Sequence, residues 1–171
     1  MTALAPATAC PLSIDPLPIS PPGPEKLAYS LTLAAAPTSA AIARAAARTV
    51  LHMHGLHDAT DAAVQVVSEL TSCACRFTTA DDIYVSLRYR DGALRVILYD
   101  AHPRHSHPRL SAACDARRRA TLRVLACVVR ACQGDWGFDA AREPGGGTRL
   151  WAVLPRSGAR AYGVSGECTN G

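Results

Sequence analysis

The chain has 171 residues, a length suited to one domain, with 18 Lys and Arg against 14 Asp and Glu for a net charge of +4. All the basic residues except Lys26 are arginine and Asn170 is the only asparagine. An Ala, Arg, Gly and Pro excess of this kind fits a GC-rich coding sequence as well as an anionic partner, so the charge does not argue for nucleic-acid binding.

Seven cysteines with no C-x-x-C pair suggest neither a disulfide framework nor a zinc ribbon. There is no basic segment ahead of an apolar run at the start, and no apolar run long enough to span a membrane, so a cytoplasmic protein is expected. Hydrophobic residues make up 49% of the chain, but many are alanine, so the core must lean on a few Leu, Val and aromatic positions.

Residues 1–24 hold seven of the twelve prolines and cannot supply a regular ladder of backbone hydrogen bonds, which predicts a disordered arm. The segment "LAYSLTL" follows, with Leu27, Tyr29, Leu31 and Leu33 at the period of a half-buried strand. Residues 37–55 read as a helix capped by Thr38 or Ser39 and closed by Gly55, with Ile42, Ala46, Val50 and Met53 inward. A second helix starts at Thr60 or Asp61, and its stripe of Ala63, Val66, Val67, Leu70 and Ala74 marks it as the central one.

Residues 83–100 are two alternating runs joined by Asp91-Gly92, a pair that tolerates positive φ in a tight hairpin turn. After a loop bearing proline and histidine, residues 121–137 support a helix with Leu122, Leu125, Val129 and Cys132 inward, and "PGGGTRLWAVLP" gives a glycine turn and a last strand. Residues 156–171 are small, polar and glycine-bearing, which predicts a flexible tail, so the folded unit should span residues 25–155. The element order argues for an α/β two-layer sandwich with helices on one face of a mixed, largely antiparallel sheet.

Three features could form a site: Glu69 on the central helix, Asp100 at the end of a strand, and the glycine run before the last strand. "VVSEL", "YRDGALRVILYDAHPR" and "DWG" running to "PGGGTRLWAVLP", in that order, resemble the ATP-binding domain of the gyrase, chaperone, histidine-kinase and mismatch-repair (GHKL) superfamily. The likeness is closer to the small anti-sigma-factor serine/threonine kinases and their actinobacterial relatives. It implies a Bergerat-type fold, ATP and magnesium as cofactors, and a role in transcription regulation. The implied partner is a protein, either a sigma factor or an anti-sigma antagonist, with a homodimer possible and no direct contact with nucleic acid or membrane. By the same resemblance Glu69 is the catalytic base, Asp100 accepts a hydrogen bond from the adenine amino group, and Ala101, His102, Arg119, Thr121, Leu122 and Thr148 line the nucleotide.

Departures from the family pattern are as informative. The family's magnesium-holding asparagine falls at Cys73, a soft thiol where a hard oxygen is wanted. The family's G-x-G-L falls at residues 119–122, where Arg119 and Thr121 replace both glycines and would crowd a phosphate; Arg117, Arg118 and Arg119 could offset some of that by charge.

The residues also have plainer readings. Glu69 can be a solvent-facing helix residue, Asp100 a turn residue before Pro103, Cys73 and Cys75 small buried hydrophobes, and Arg117 to Arg119 a solvated charge run. His102, His105, His107 and Cys114 are potential metal ligands within a short span, in a spacing that matches no standard zinc motif. Two main functions therefore stand side by side: an ATP-dependent serine/threonine kinase with degraded magnesium and phosphate motifs, and a non-catalytic interaction module that no longer binds nucleotide. A metal-binding histidine loop is a third.

Overall fold

The structure, a computed structural model, describes residues 20–141 and 146–167, with side chains to residue 164. Strands β1 (Ala28–Ala34), β2 (Asp82–Arg90), β3 (Ala93–Asp100), β4 (Asp135–Ala140) and β5 (Thr148–Pro155) form one sheet in the order β1-β2-β3-β5-β4. Helices α1 (Ser39–Met53), α2 (Thr60–Phe77), α3 (Pro108–Thr121), α4 (Arg123–Ala131) and α5 (Arg156–Glu167) complete the two-layer α/β sandwich. Every strand pairing is antiparallel, so the expected mixed sheet is corrected: β5 starts beside the end of β3, with Thr148 opposite Asp100, which sets the two strands antiparallel.

The hairpin forms as expected, with Asp91 and Gly92 at φ 54° and 72°, the left-handed pair that matches the twist of the flanking strands. Along β3, Leu94, Val96 and Leu98 face the helix layer and are buried, and strand parity puts Asp100 on that same face. Leu150, Ala152 and Leu154 do the same for β5, and Thr148 shares their parity. Two polar side chains thus point inward, side by side, at one end of the sheet.

Helix α2 lies across β2, β3 and β5, and its expected stripe from Ala63 to Ala74 is buried throughout. Helix α1 is a helix as expected, but its phase is not the one read from the sequence. Ala40, Ala43, Ala47 and Leu51 face inward, while Ile42 and Met53 are each 54% exposed. Small side chains let α1 approach α2 closely, and that close approach outweighs the burial of one isoleucine and one methionine.

Helices α3 and α5 lie where the sequence was read as loop and tail, and the helix expected over residues 121–137 is corrected: α4 ends at Ala131 and residues 135–137 begin strand β4. The flexible tail is corrected over Arg156–Glu167, because α5 packs on α2 with Ala159 buried, and Arg156 Nε contacts both Asp58 carboxylate oxygens at 3.2 and 3.1 Å. Most of the expected disordered arm lies outside the described residues. Its described end is held, since the buried His54 ring bonds the Gly23 carbonyl through Nδ1 at 2.8 Å and the Tyr29 hydroxyl through Nε2 at 3.0 Å. Among the described residues, no helix is long and apolar enough to cross a membrane.

Candidate functional site

The inward end of β3 and β5 meets the last turns of α2 and α3. Cys73 and Phe77 are four residues apart on α2, so they share its face toward this end of the sheet. Helix α3 starts with Pro108 at its first position, where the missing N–H costs nothing, and it carries no apolar stripe. Its one buried residue is a charge, Arg118.

Arg118 Nη1 donates to Asp100 Oδ2 at 2.7 Å, and both side chains are sealed from water, at 2% and 0% exposure. The same nitrogen lies 3.9 Å from Cys73 Sγ, and the guanidinium carbon sits 4.2 Å above the centre of the Phe77 ring. A cation over an aromatic face in a desolvated setting gains up to about 2 kcal/mol. The second Asp100 oxygen accepts the backbone N–H of His102 at 2.9 Å, so each carboxylate oxygen already holds a partner and neither reaches water. Arg118 Nη2 is buried without a hydrogen-bond partner.

Charge states follow from this burial. Desolvation pushes the Asp100 carboxyl up from its ordinary value, against the hydrogen bond and charge of Arg118, which pull it down. Desolvation likewise raises the Cys73 thiol to about 11, again opposed by Arg118. Burial and the Arg118 charge lower the His102 imidazole, against the pull of Asp100.

The other expected nucleotide residues are placed as follows. Ala101 is exposed and tied to the segment after α2, its N–H donating to Thr78 Oγ1 at 3.3 Å and its carbonyl accepting from Thr79 Oγ1 at 3.4 Å. Thr148 is buried and donates to the His102 carbonyl at 3.0 Å, which fixes the loop leaving β3. Arg119 is exposed with its guanidinium 5.0 Å from the centre of the Phe138 ring, and Thr121 Oγ1 donates to the Arg117 carbonyl at 3.1 Å. Leu122 is fully buried at the junction of α3 and α4. Glu69 is half-buried one turn before Cys73, and its Oε1 accepts from Gln65 of the same helix at 3.1 Å.

Sequence reasoning missed Arg118 as the centre of this cluster by taking Arg117 to Arg119 as a solvated charge run; Arg117 and Arg119 are exposed, and Arg118 corrects that reading. The signal was available as a polar stripe at helical spacing, Ser111, Cys114, Asp115 and Arg118. Of the potential metal ligands, His102, His105 and Cys114 come together, whereas His107 stands exposed just before α3 with no capping bond from its side chain.

No family model matches the chain, and no curated protein matches it. Among solved structures it is similar to the histidine kinase domain from the Erythrobacter litoralis EL346 blue-light activated histidine kinase, with 19% identity and a TM-score of 0.45. That likeness covers 72% of this chain, and the chain spans 63% of the length of that one.

Proposed function

We propose that the chain is a kinase-like regulatory domain of the GHKL type that acts by contact with a protein partner, its nucleotide pocket filled by its own arginine. The observation that carries this reading is the buried pair of Arg118 and Asp100 at 2.7 Å. Adenine recognition requires a carboxylate free to accept from an exocyclic amine. Asp100 has one oxygen on Arg118 and the other on the His102 N–H.

The donor set at the magnesium position argues the same way. Cys73 is fully buried, its thiol is pushed up to about 11, and it faces a guanidinium. Magnesium selects hard oxygen donors and keeps waters, so a protonated thiol beside a fixed positive charge is a site it would not choose. Arg119 and Thr121 at the helix junction add side chains where phosphate would need bare backbone. In this reading Glu69 has no phosphoryl transfer to serve. The partner implied by the family resemblance is a sigma factor or an anti-sigma antagonist.

Calorimetric titration of ATP and ADP, with and without magnesium, into the full chain and into Arg118→Ala tests the proposal. The wild type is expected to give no heat of binding and no rise in melting temperature up to millimolar nucleotide, since a ligand held only by the native state would raise it. Micromolar magnesium-dependent ATP binding by the wild type would overturn the reading in favour of an active serine/threonine kinase, with Arg118 swinging away on binding.

A further inference from the structure

We infer that His102, His105 and Cys114 form a binding site for a zinc-type divalent cation, joining the loop after β3 to the middle of α3. Their ligand atoms all lie within 4.8 Å of one another. Tetrahedral zinc with ligands at about 2.0–2.3 Å needs donor atoms about 3.3–3.8 Å apart, so closure asks for roughly 1 Å of side-chain movement. Two of the three ligands are on a loop and all three are half-buried, which makes that movement available.

A second observation points to a ligand. His102 Nε2 is buried without a hydrogen bond of good geometry, the Phe77 backbone being the one group that bonds toward the ring. A buried ring nitrogen left unpaired costs free energy, and native structures rarely leave one without a water or an ion. His102, His105 and Cys114 line one narrow cleft between loop and helix, together with Arg104, Asp115 and Arg118. The two imidazoles meet edge to face, with centroids 5.2 Å apart and planes at 81°. Rings set this way can direct one nitrogen each toward a common point.

Donor chemistry selects the ion. Two imidazoles and a thiolate suit zinc and cobalt and repel the preferences of magnesium and calcium, which want oxygen. The adjoining carboxylate, Asp115, is held by Arg104 at 2.6 and 3.1 Å, so the fourth position falls to water. A cation here would tie residues 102–105 to α3 one turn before Arg118, stiffening the helix that carries the arginine. The inference does not rest on the reading of Asp100, because His102 reaches that carboxylate through its backbone N–H and would hold the cation through its ring.

The test uses the full chain, stripped with chelator and titrated with zinc or cobalt chloride. One equivalent should bind and raise the melting temperature, and cobalt should produce a thiolate charge-transfer band with tetrahedral visible absorption. Even removal of a residue that only supports a ligand weakens metal binding 10- to 100-fold, so Cys114→Ser and His105→Ala should each weaken it by more than about tenfold. Cys127→Ser, which removes an exposed thiol elsewhere, should leave it unchanged, and magnesium should give no thermal shift. Circular dichroism shows whether the two variants are folded, and both positions are only half-buried. Failure of the wild type to take up zinc, or equal affinity in folded Cys114→Ser and His105→Ala, would overturn the inference.

Discussion

Arg118 Nη1 lies 2.7 Å from Asp100 Oδ2 and joins the last turn of α3 to the end of β3 across 18 residues of sequence. Neither side chain reaches water. A buried ion pair is weak evidence of net stability, because removing two charges from water offsets most of their attraction. Removing one member is a different matter, since the survivor is left charged and uncompensated. The pair therefore acts as a lock between helix and sheet whose halves are costly apart.

That asymmetry gives the first prediction. Arg118→Met should lower unfolding free energy by about 3–5 kcal/mol, and the double change Arg118→Met with Asp100→Leu should recover most of the loss. Urea unfolding of wild type, both singles and the double supplies the cycle. Additive losses would mean that the two side chains do not act on each other.

Cys73 supplies a pH dependence. Its folded value of about 11 lies above the ordinary thiol value of 9.0, so the unfolded chain releases the thiol proton first as pH rises. The stabilising effect of the neutral buried thiol is fully present below pH 9 and is lost as pH climbs through 11. Two units correspond to about 2–3 kcal/mol. The stability difference between wild type and Cys73→Ala should shrink by that amount between pH 8.5 and 11, measured by urea unfolding at each pH. A difference that stays flat would show the thiol is not held in the apolar site.

Helix α5 can be tested through its glycines. A Cβ on Gly158 would collide with the Cys132 carbonyl oxygen, a backbone atom that cannot swing aside. Gly158→Ala should cost about 1–3 kcal/mol or more by overpacking. At Gly163 the nearest atom to a new Cβ is Asp61 Oδ2 at 3.8 Å, an ordinary contact, so Gly163→Ala should stabilise by about 0.5–1 kcal/mol through helix propensity alone. Thermal melts of the two variants should move in opposite directions, whereas a loose tail would respond to neither.

Legibility from the sequence followed the kind of signal each element carries. Helix α2 and the β2–β3 hairpin were readable because an apolar stripe and an Asp91-Gly92 turn both report burial directly. Helix α3 was not, because it buries a charge in place of a stripe, and hydrophobic periodicity has nothing to count there. The candidate site suffered in the same way: Asp100 and Cys73 could be picked out by position, but their partner Arg118 sat in a run of three arginines that composition alone treats as solvated. In α5, Arg156, Gly158 and Ala159 make the docking surface, and each of those residue types is ordinary in a tail.

Helix α1 shows a subtler failure, and it yields the last prediction. Ile42 and Met53 are its bulkiest apolar residues after the buried Leu51, yet both are more than half exposed, and the buried line is Ala40, Ala43, Ala47 and Leu51. Alanine is small enough to let α1 lie close against α2, so the face chosen is the one that allows close approach, and an apolar cleft remains beside Ala43, Ala47 and Val50. Ile42→Ser should then change stability by less than about 0.5 kcal/mol, as exposed substitutions usually do. Leu51→Ala, which empties a fully buried position on the inward line, should cost about 2–5 kcal/mol. If the helix were rotated to bury Ile42, Ala46, Val50 and Met53, the two results would exchange places: Ile42→Ser would be the damaging change, and Leu51→Ala would be tolerated. Urea midpoints of the two variants, compared at equal m-value, decide between the two faces.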